Sequence, residues 1–225
     1  MARVANKVAL LTGAGAVIQA CAQALVDEGA SVALTDPDSA KAQQIAGNLR
    51  AATDRVMWLA KEDADEAGWE TTIAAVEERF GGLDVLVNGE PRIIEKSIAD
   101  MSISNLRAIE ETNIVEPWLG LKHGIAALRR RGGGSIINLS LTVARHGALN
   151  MSANCAAAAG VRVMSQAAAL ECGEKSDGVR VNTILVDHTT AVPSEVAAAV
   201  IYLASDESRF MTAGEIVLDG DASSA

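Results

Sequence analysis

Seven short runs rich in branched apolar residues punctuate the chain, and the stretches between them are too long for hairpins. The runs are KVALLTG (7–13), SVALTD (31–36), DRVMWLA (54–60), LDVLVNG (83–89), GSIINLS (134–140), VRVNTILV (179–186) and GEIVLDG (214–220). Several show no polar alternation, the pattern of a strand covered on both faces. Between them lie segments of helical character at about 17–28, 38–51, 65–80, 102–130, 151–174 and 193–204. Parallel strands need a crossover of a dozen or more residues, and a helix is the usual one. The pattern therefore predicts an α/β fold: one Rossmann-like, doubly wound, seven-stranded parallel sheet with helices on both faces. Residues 1–225 read as a single domain, since no linker, repeat or low-complexity tail interrupts them.

The chain has a net charge of −10, which removes the electropositive footprint that nucleic acid requires. No apolar run reaches membrane-spanning length, and the first residues, MARVANKVALLTG, lack signal-peptide architecture. Cys21, Cys155 and Cys172 are odd in number and without metal-ligand spacing, as expected of reduced thiols in a cytoplasm.

After the first strand comes LLTGAGAVIQACAQALVDEGASVALTD, a glycine turn that opens a helix and leads to a second strand ending at Asp36. That order suits a dinucleotide: helix N-terminal amides face the pyrophosphate and the carboxylate faces a ribose. Gly13, Asp36 and Asn88 are the residues that could still hold such a ligand.

TGAG (12–15), GGLDVLVN (81–88), GSIINLS (134–140), GVRVN (178–182) and YLASDESRFMTAGEIVLDG (202–220) together resemble the short-chain dehydrogenase/reductase family over nearly the whole length. The resemblance implies an NAD(P)-dependent oxidoreductase that assembles as a dimer or tetramer. It places Asn113 where the family keeps a helix asparagine supporting a catalytic water.

The departures from that pattern are many. The family's second and third turn glycines fall on Val17 and Gln19, and the motif after the fourth strand reads NGEP, which puts Glu90 and Pro91 beside the expected cofactor. Glycine at the first two positions lets a backbone approach the pyrophosphate and a helix pack closely. Glu62 and Asp63 stand where the family contacts adenine. The family's serine, tyrosine and lysine positions fall on Leu141, Asn154 and Ala158, none of which can exchange a proton. The one tyrosine, Tyr202, is followed four residues later by Asp206, so no YxxxK exists. Between Val186 and Pro193 there is no room for the family's substrate lid, so the lid region is shortened.

These departures predict a non-catalytic subunit with no cofactor expected, residual NAD binding aside. Its partner would be an active paralogue, joined in a hetero-oligomer through helices 102–130 and 151–174 and the C-terminal strand. Inactive subunits of this kind occur in heteromeric relatives such as the 2-[hydroxy(phenyl)methyl]succinyl-CoA dehydrogenase of anaerobic toluene degradation. Two other readings stand beside it. One is a regulator that binds a nucleotide through Gly13, Asp36 and Asn88. The other is an enzyme of different chemistry using Glu90, His146, Asp187 and His188, all of which follow strand ends.

Overall fold

The computed structural model describes residues 2–50, 53–61 and 64–220. Seven parallel strands form one sheet in the order β3-β2-β1-β4-β5-β6-β7. They are β1 (Val8–Thr12), β2 (Ser31–Asp36), β3 (Val56–Ala60), β4 (Val85–Asn88), β5 (Gly134–Leu141), β6 (Val179–Val186) and β7 (Glu215–Leu218). The helices are α1 (Ala16–Asp27), α2 (Ser39–Arg50), α3 (Glu66–Phe80), α4 (Ile103–Glu110), α5 (Glu116–Arg131), α6 (Ser152–Lys175) and α7 (Pro193–Ala204). The doubly wound parallel sheet expected from the apolar runs is the one observed.

Side chains of β1 are buried alternately on the two faces, which explains its unbroken apolar run. Leu11 packs with Ile18, Leu25, Val200 and Leu203 of α1 and α7. Leu10 packs on the other face with Trp69, Leu86, Leu128 and Ile136, beneath α3 and α5. Strand order reverses between β1 and β4, so their C-terminal ends diverge and open the crevice in which such sheets hold ligands. Helix α5 ends on Gly132, whose φ of +96° gives the left-handed cap that lets the chain turn back into β5.

The segment 102–130 is not one continuous helix. A π turn, Glu111–Val115, joins α4 to α5. Pro117 supplies the reason: it has no N–H to offer the carbonyl of residue 113, and its ring would crowd that carbonyl in a regular helix. The wider turn turns the side chain of Asn113 inward, where it is buried. Near the same end of α5, Glu116 meets Lys61 at 2.5 Å, both side chains being almost fully buried. Glu116 also accepts the Trp69 indole N–H at 3.3 Å and the Ala64 amide at 3.0 Å.

Among the described residues no helix is long and apolar enough to cross a membrane, and no cluster of histidine, cysteine and acidic residues has metal-site form. Ile103, Trp118, Val163 and Leu170 are exposed on α4, α5 and α6.

Candidate active site and nucleotide crevice

The crevice begins at Gly13. Its φ of +94° is a backbone state open to glycine, and its N–H donates to the Thr35 carbonyl at 2.7 Å. A cavity of about 340 Å³ lies beside it, lined by Thr12, Asp36, Asp38, Lys41, Glu90 and Arg92 among others. Asp36 ends β2 as expected and accepts the Asp38 amide at 2.7 Å. Asn88 is buried at the end of β4 and donates to Asn138 Oδ1 at 2.6 Å. Asn138 donates in turn to Ser165 Oγ at 2.7 Å.

The loop leaving β4 is tied down on both sides of Glu90. Gly89 N–H donates to Thr12 Oγ1 at 3.0 Å. The backbone of Arg92 is gripped at both polar atoms by Asn113, whose Oδ1 accepts its N–H at 2.7 Å and whose Nδ2 donates to its carbonyl at 2.8 Å. Asn154, fully buried, adds a third bond to the Arg92 carbonyl at 3.0 Å. The position of the family tyrosine therefore does a positioning job with Asn113. Leu141 and Ala158, the serine and lysine positions, pack with Val143 and Met151 in a small apolar cluster.

Glu90 reaches back to α1. Its Oε1 accepts the Val17 amide at 2.6 Å. A Cβ placed on Gly15 would stand 1.3 Å from Glu90 Oε2, so the carboxylate lies directly on the bare face of that glycine. Burial, and secondly the charge of Asp36, hold the Glu90 carboxyl above the usual carboxylate range, against the pull of the helix amides. This is the place where a helix N-terminus receives a pyrophosphate. With Glu90 as it stands the seat does not fit a dinucleotide, because two anions would share one helix end. Gln19, expected to crowd this region, is exposed and fills no part of it. Glu62 and Asp63, expected where the family has an adenine-contacting aspartate and an apolar residue after it, lie outside the described residues.

On the other side of Glu90 is a second cavity of about 250 Å³, lined by Val17, Pro91, Ile93, Leu139, Ser140, Leu141, Val186, His188 and Ala191. His188 Nε2 lies 3.2 Å from Glu95 Oε1. Of the four residues expected to converge on a different chemistry, Glu90 and His188 do share this cavity. His146 does not, and among the described residues its ring is placed against its neighbour's carbonyl, Gly147 O at 3.4 Å. Asp187 does not either: its Oδ1 accepts from Thr189 N, Thr189 Oγ1 and Thr190 N, which spends the carboxylate on a turn and lowers its pKa, chiefly through the Thr189 hydroxyl. The role of Asn154 in holding Arg92, and the reach of Glu90 to α1, were not legible from sequence. An asparagine near the start of a long alanine-rich helix was the only hint in the sequence.

A wider cavity of about 450 Å³ opens at the opposite ends of the strands, between Lys7, Asp84, Gly133 and Arg180. Of its cations, Lys7 is engaged with Asp206 at 2.6 Å, Arg180 with the Leu203 carbonyl at 2.9 Å, and Arg209 lies over the Phe210 ring at 5.2 Å. Ligands of open parallel sheets bind at the carboxyl ends, so the crevice at Gly13 and Glu90 is the candidate site.

The thiol of Cys21 lies under the same helix end, and burial followed by the Glu90 charge pushes its pKa up to about 12. Iodoacetamide at pH 8 will therefore modify the half-buried Cys155 of the native protein well before Cys21, as peptide mass spectrometry can follow. Equal labelling rates would contradict the placement of Cys21.

The short chain dehydrogenase family model matches residues 7–196. The chain belongs to the short-chain dehydrogenase family. It is 32% identical to the 2,5-dichloro-2,5-cyclohexadiene-1,4-diol dehydrogenase of Sphingobium indicum, over 97% of this chain and 96% of that one. It is equally similar, at 32%, to the NADP-dependent (R)-specific alcohol dehydrogenase of Lentilactobacillus kefiri, over 97% of both chains. The 3-beta-hydroxysteroid dehydrogenase of Comamonas testosteroni is 30% identical over 96% of each. Among solved structures, a short-chain type dehydrogenase/reductase from Mycobacterium marinum superposes with a TM-score of 0.91 at 23% identity, over 98% of this chain and 96% of that one, and so supports the fold alone.

These relatives correct two expectations. A non-catalytic subunit beside an active paralogue does not stand, because the family relatives matched along nearly the whole chain are dehydrogenases. The expectation of no cofactor falls with it, since one of them is NADP-dependent by name. Physically, three substituted side chains do not remove a crevice, and it persists with Ser140, Glu90 and His188 on its walls. The alignment to the Sphingobium relative runs over 243 positions against the 225 residues of this chain, so that relative carries residues absent here. In the structure β6 and α7 are joined by residues 187–192 alone, which leaves no lid there.

Proposed function

We propose that this member of the family is an oxidoreductase that interconverts a ring-borne secondary alcohol and its ketone, with a nicotinamide dinucleotide as the two-electron partner. Three relatives support the substrate class, being named for a cyclohexadienediol, a hydroxycyclohexanecarboxylate and a hydroxysteroid. The coenzyme rests on the NADP named for the Lentilactobacillus relative.

The observation that carries the reading is the 250 Å³ cavity at the ends of β5 and β6, apolar on most of its wall with an imidazole at its rim. Its size and lining suit a six-membered ring. Oxidation of a hydroxyl releases one proton, and imidazole is the side chain that exchanges protons near neutral pH. His188, oriented by Glu95, takes that role here, while Ser140, whose buried hydroxyl donates to the Ala158 carbonyl at 3.4 Å, is the hydroxyl on the cavity wall nearest to the substrate-binding role. The family's serine, tyrosine and lysine set is not used, its positions being Leu141, Asn154 and Ala158.

Purified protein given NAD⁺ or NADP⁺ with cyclohexanols, 4-hydroxycyclohexanecarboxylate and hydroxysteroids is expected to reduce the coenzyme with at least one of them. His188→Gln is expected to lower kcat by about 100-fold, the low end of general acid–base contributions, with little change in substrate affinity. No coenzyme reduction with any of these alcohols sinks the reading. Unchanged kcat in His188→Gln removes the proton assignment alone.

The apolar side chains exposed on α5 and α6, Trp118, Val163 and Leu170, support assembly with a further chain of the family through those helices. Three free thiols support a reducing compartment such as the cytoplasm.

A further inference from the structure

We propose that Glu90 is a built-in gate on the crevice. Its carboxylate occupies the phosphate seat at the start of α1, and it must leave before a dinucleotide can be held, so this one side chain sets the coenzyme affinity. The proposal rests on the coenzyme reading above, and it stands on three features of the site.

The first is the contact itself. A glycine turn that opens a helix brings bare backbone close to an anion. Here the anion in contact is the chain's own carboxylate, on the Val17 amide at 2.6 Å and over the Gly15 face. The contact therefore does not depend on the helix end alone, since the anionic group is already seated on it.

The second is the anchoring. Thr12 holds Gly89, and Asn113 with Asn154 hold Arg92, so the backbone on both sides of Glu90 is fixed. What remains free is rotation of the Glu90 side chain. Gating is thus a side-chain motion that needs no shift of the loop.

The third is the shape of the crevice. Glu90 lines both the 340 Å³ cavity, which also holds Asp36, and the 250 Å³ cavity, which also holds His188. It is the residue the two linings have in common. A ligand running from Asp36 to His188 has to pass its carboxylate, and rotating that group aside turns two cavities into one crevice. A resident anion and a pyrophosphate repel at a shared helix end. Asp36 adds to that repulsion, and burial disfavours the charged carboxylate, so the closed state is held at some cost.

The test is binding of inorganic pyrophosphate, NADH and NADPH to the wild-type chain, Glu90→Ala and Glu90→Gln by calorimetry, with thermal melts to verify folding. Glu90→Ala is expected to bind pyrophosphate and one dinucleotide at least about tenfold tighter than wild type, the scale of a full charge at a helix N-terminus. Glu90→Gln is expected to fall between them, because its amide oxygen still accepts from Val17 without a charge. Should Glu90→Ala fail to fold, Glu90→Gln against wild type decides the matter. Equal affinities in wild type and variants overturn the gate, and if the dinucleotide is bound equally the coenzyme reading survives. Pyrophosphate affinity gained without any dinucleotide binding upholds the gate and overturns the coenzyme reading. No binding of either probe by any of the three proteins overturns both.

Discussion

Glu116→Ala will cost the folded state about 3–5 kcal/mol, the usual penalty for removing one partner of a buried ion pair. The variant takes the carboxylate from the Lys61 ammonium, 2.5 Å away with a side chain only 2% exposed. It also strips the acceptor from the indole N–H of Trp69, a side chain with no exposed surface, and from the Ala64 amide. Breaking such a pair is worse than lacking it, because the charge that stays must still be desolvated. The double variant Lys61→Met, Glu116→Leu is therefore expected to regain a good part of the loss, as apolar groups of similar volume fill the site. Urea denaturation of the three proteins measures both effects. A double variant less stable than Glu116→Ala would show that the pair itself stabilises the fold.

Asn138→Leu will cost about 2–3 kcal/mol, since it breaks a buried chain of hydrogen bonds at its middle. Asn138 is fully buried, accepts from Asn88 on β4 and donates to Ser165 on α6. Its loss leaves the Asn88 amide donor unsatisfied in a place where Asn88 Oδ1 already has no hydrogen-bond partner among the described residues. Ser165→Ala is expected to cost less, because its hydroxyl donates to Val161 O, one turn back on its own helix, and leaves only Asn138 Nδ2 behind. Guanidinium unfolding curves will rank the two. Equal costs would mean that Asn138 is not the centre of the network. Because Asn88 leads into Gly89 and Glu90, Asn138→Leu should also loosen the loop that carries the gate.

Much of this was legible because it depends on spacing. Unbroken apolar runs need cover on both faces, and the long crossovers between them make that cover helical, so VALLT and its counterparts fit a helix-covered parallel sheet. The crevice at Gly13 and Asp36 follows from the same order of elements. Other features escaped because they depend on which side chains meet across the fold. The period of 102–130 is helical throughout, and only Pro117 hints at the π turn that aims Asn113 at Arg92. His146 and His188 look alike in sequence, each in a loop after a strand. One lines the cavity and the other does not.

The triad positions illustrate the same limit. By the family resemblance, the expected serine, tyrosine and lysine positions fall on Leu141, Asn154 and Ala158, none of which exchanges a proton. They do not establish the loss of function, because other groups border the crevice and the relatives are dehydrogenases.

The sequence by itself determined the sheet, its helical layers and the end of the sheet at which folds of this kind hold ligands. Those follow from hydrophobic period and crossover length, which are local properties of the chain. Only the tertiary structure decided that Glu90 caps α1, that Asn154 and Asn113 hold its loop, and that His188 rather than His146 faces the cavity. Each of these is a contact between residues far apart in the chain, and no local period records which distant atom a side chain will reach.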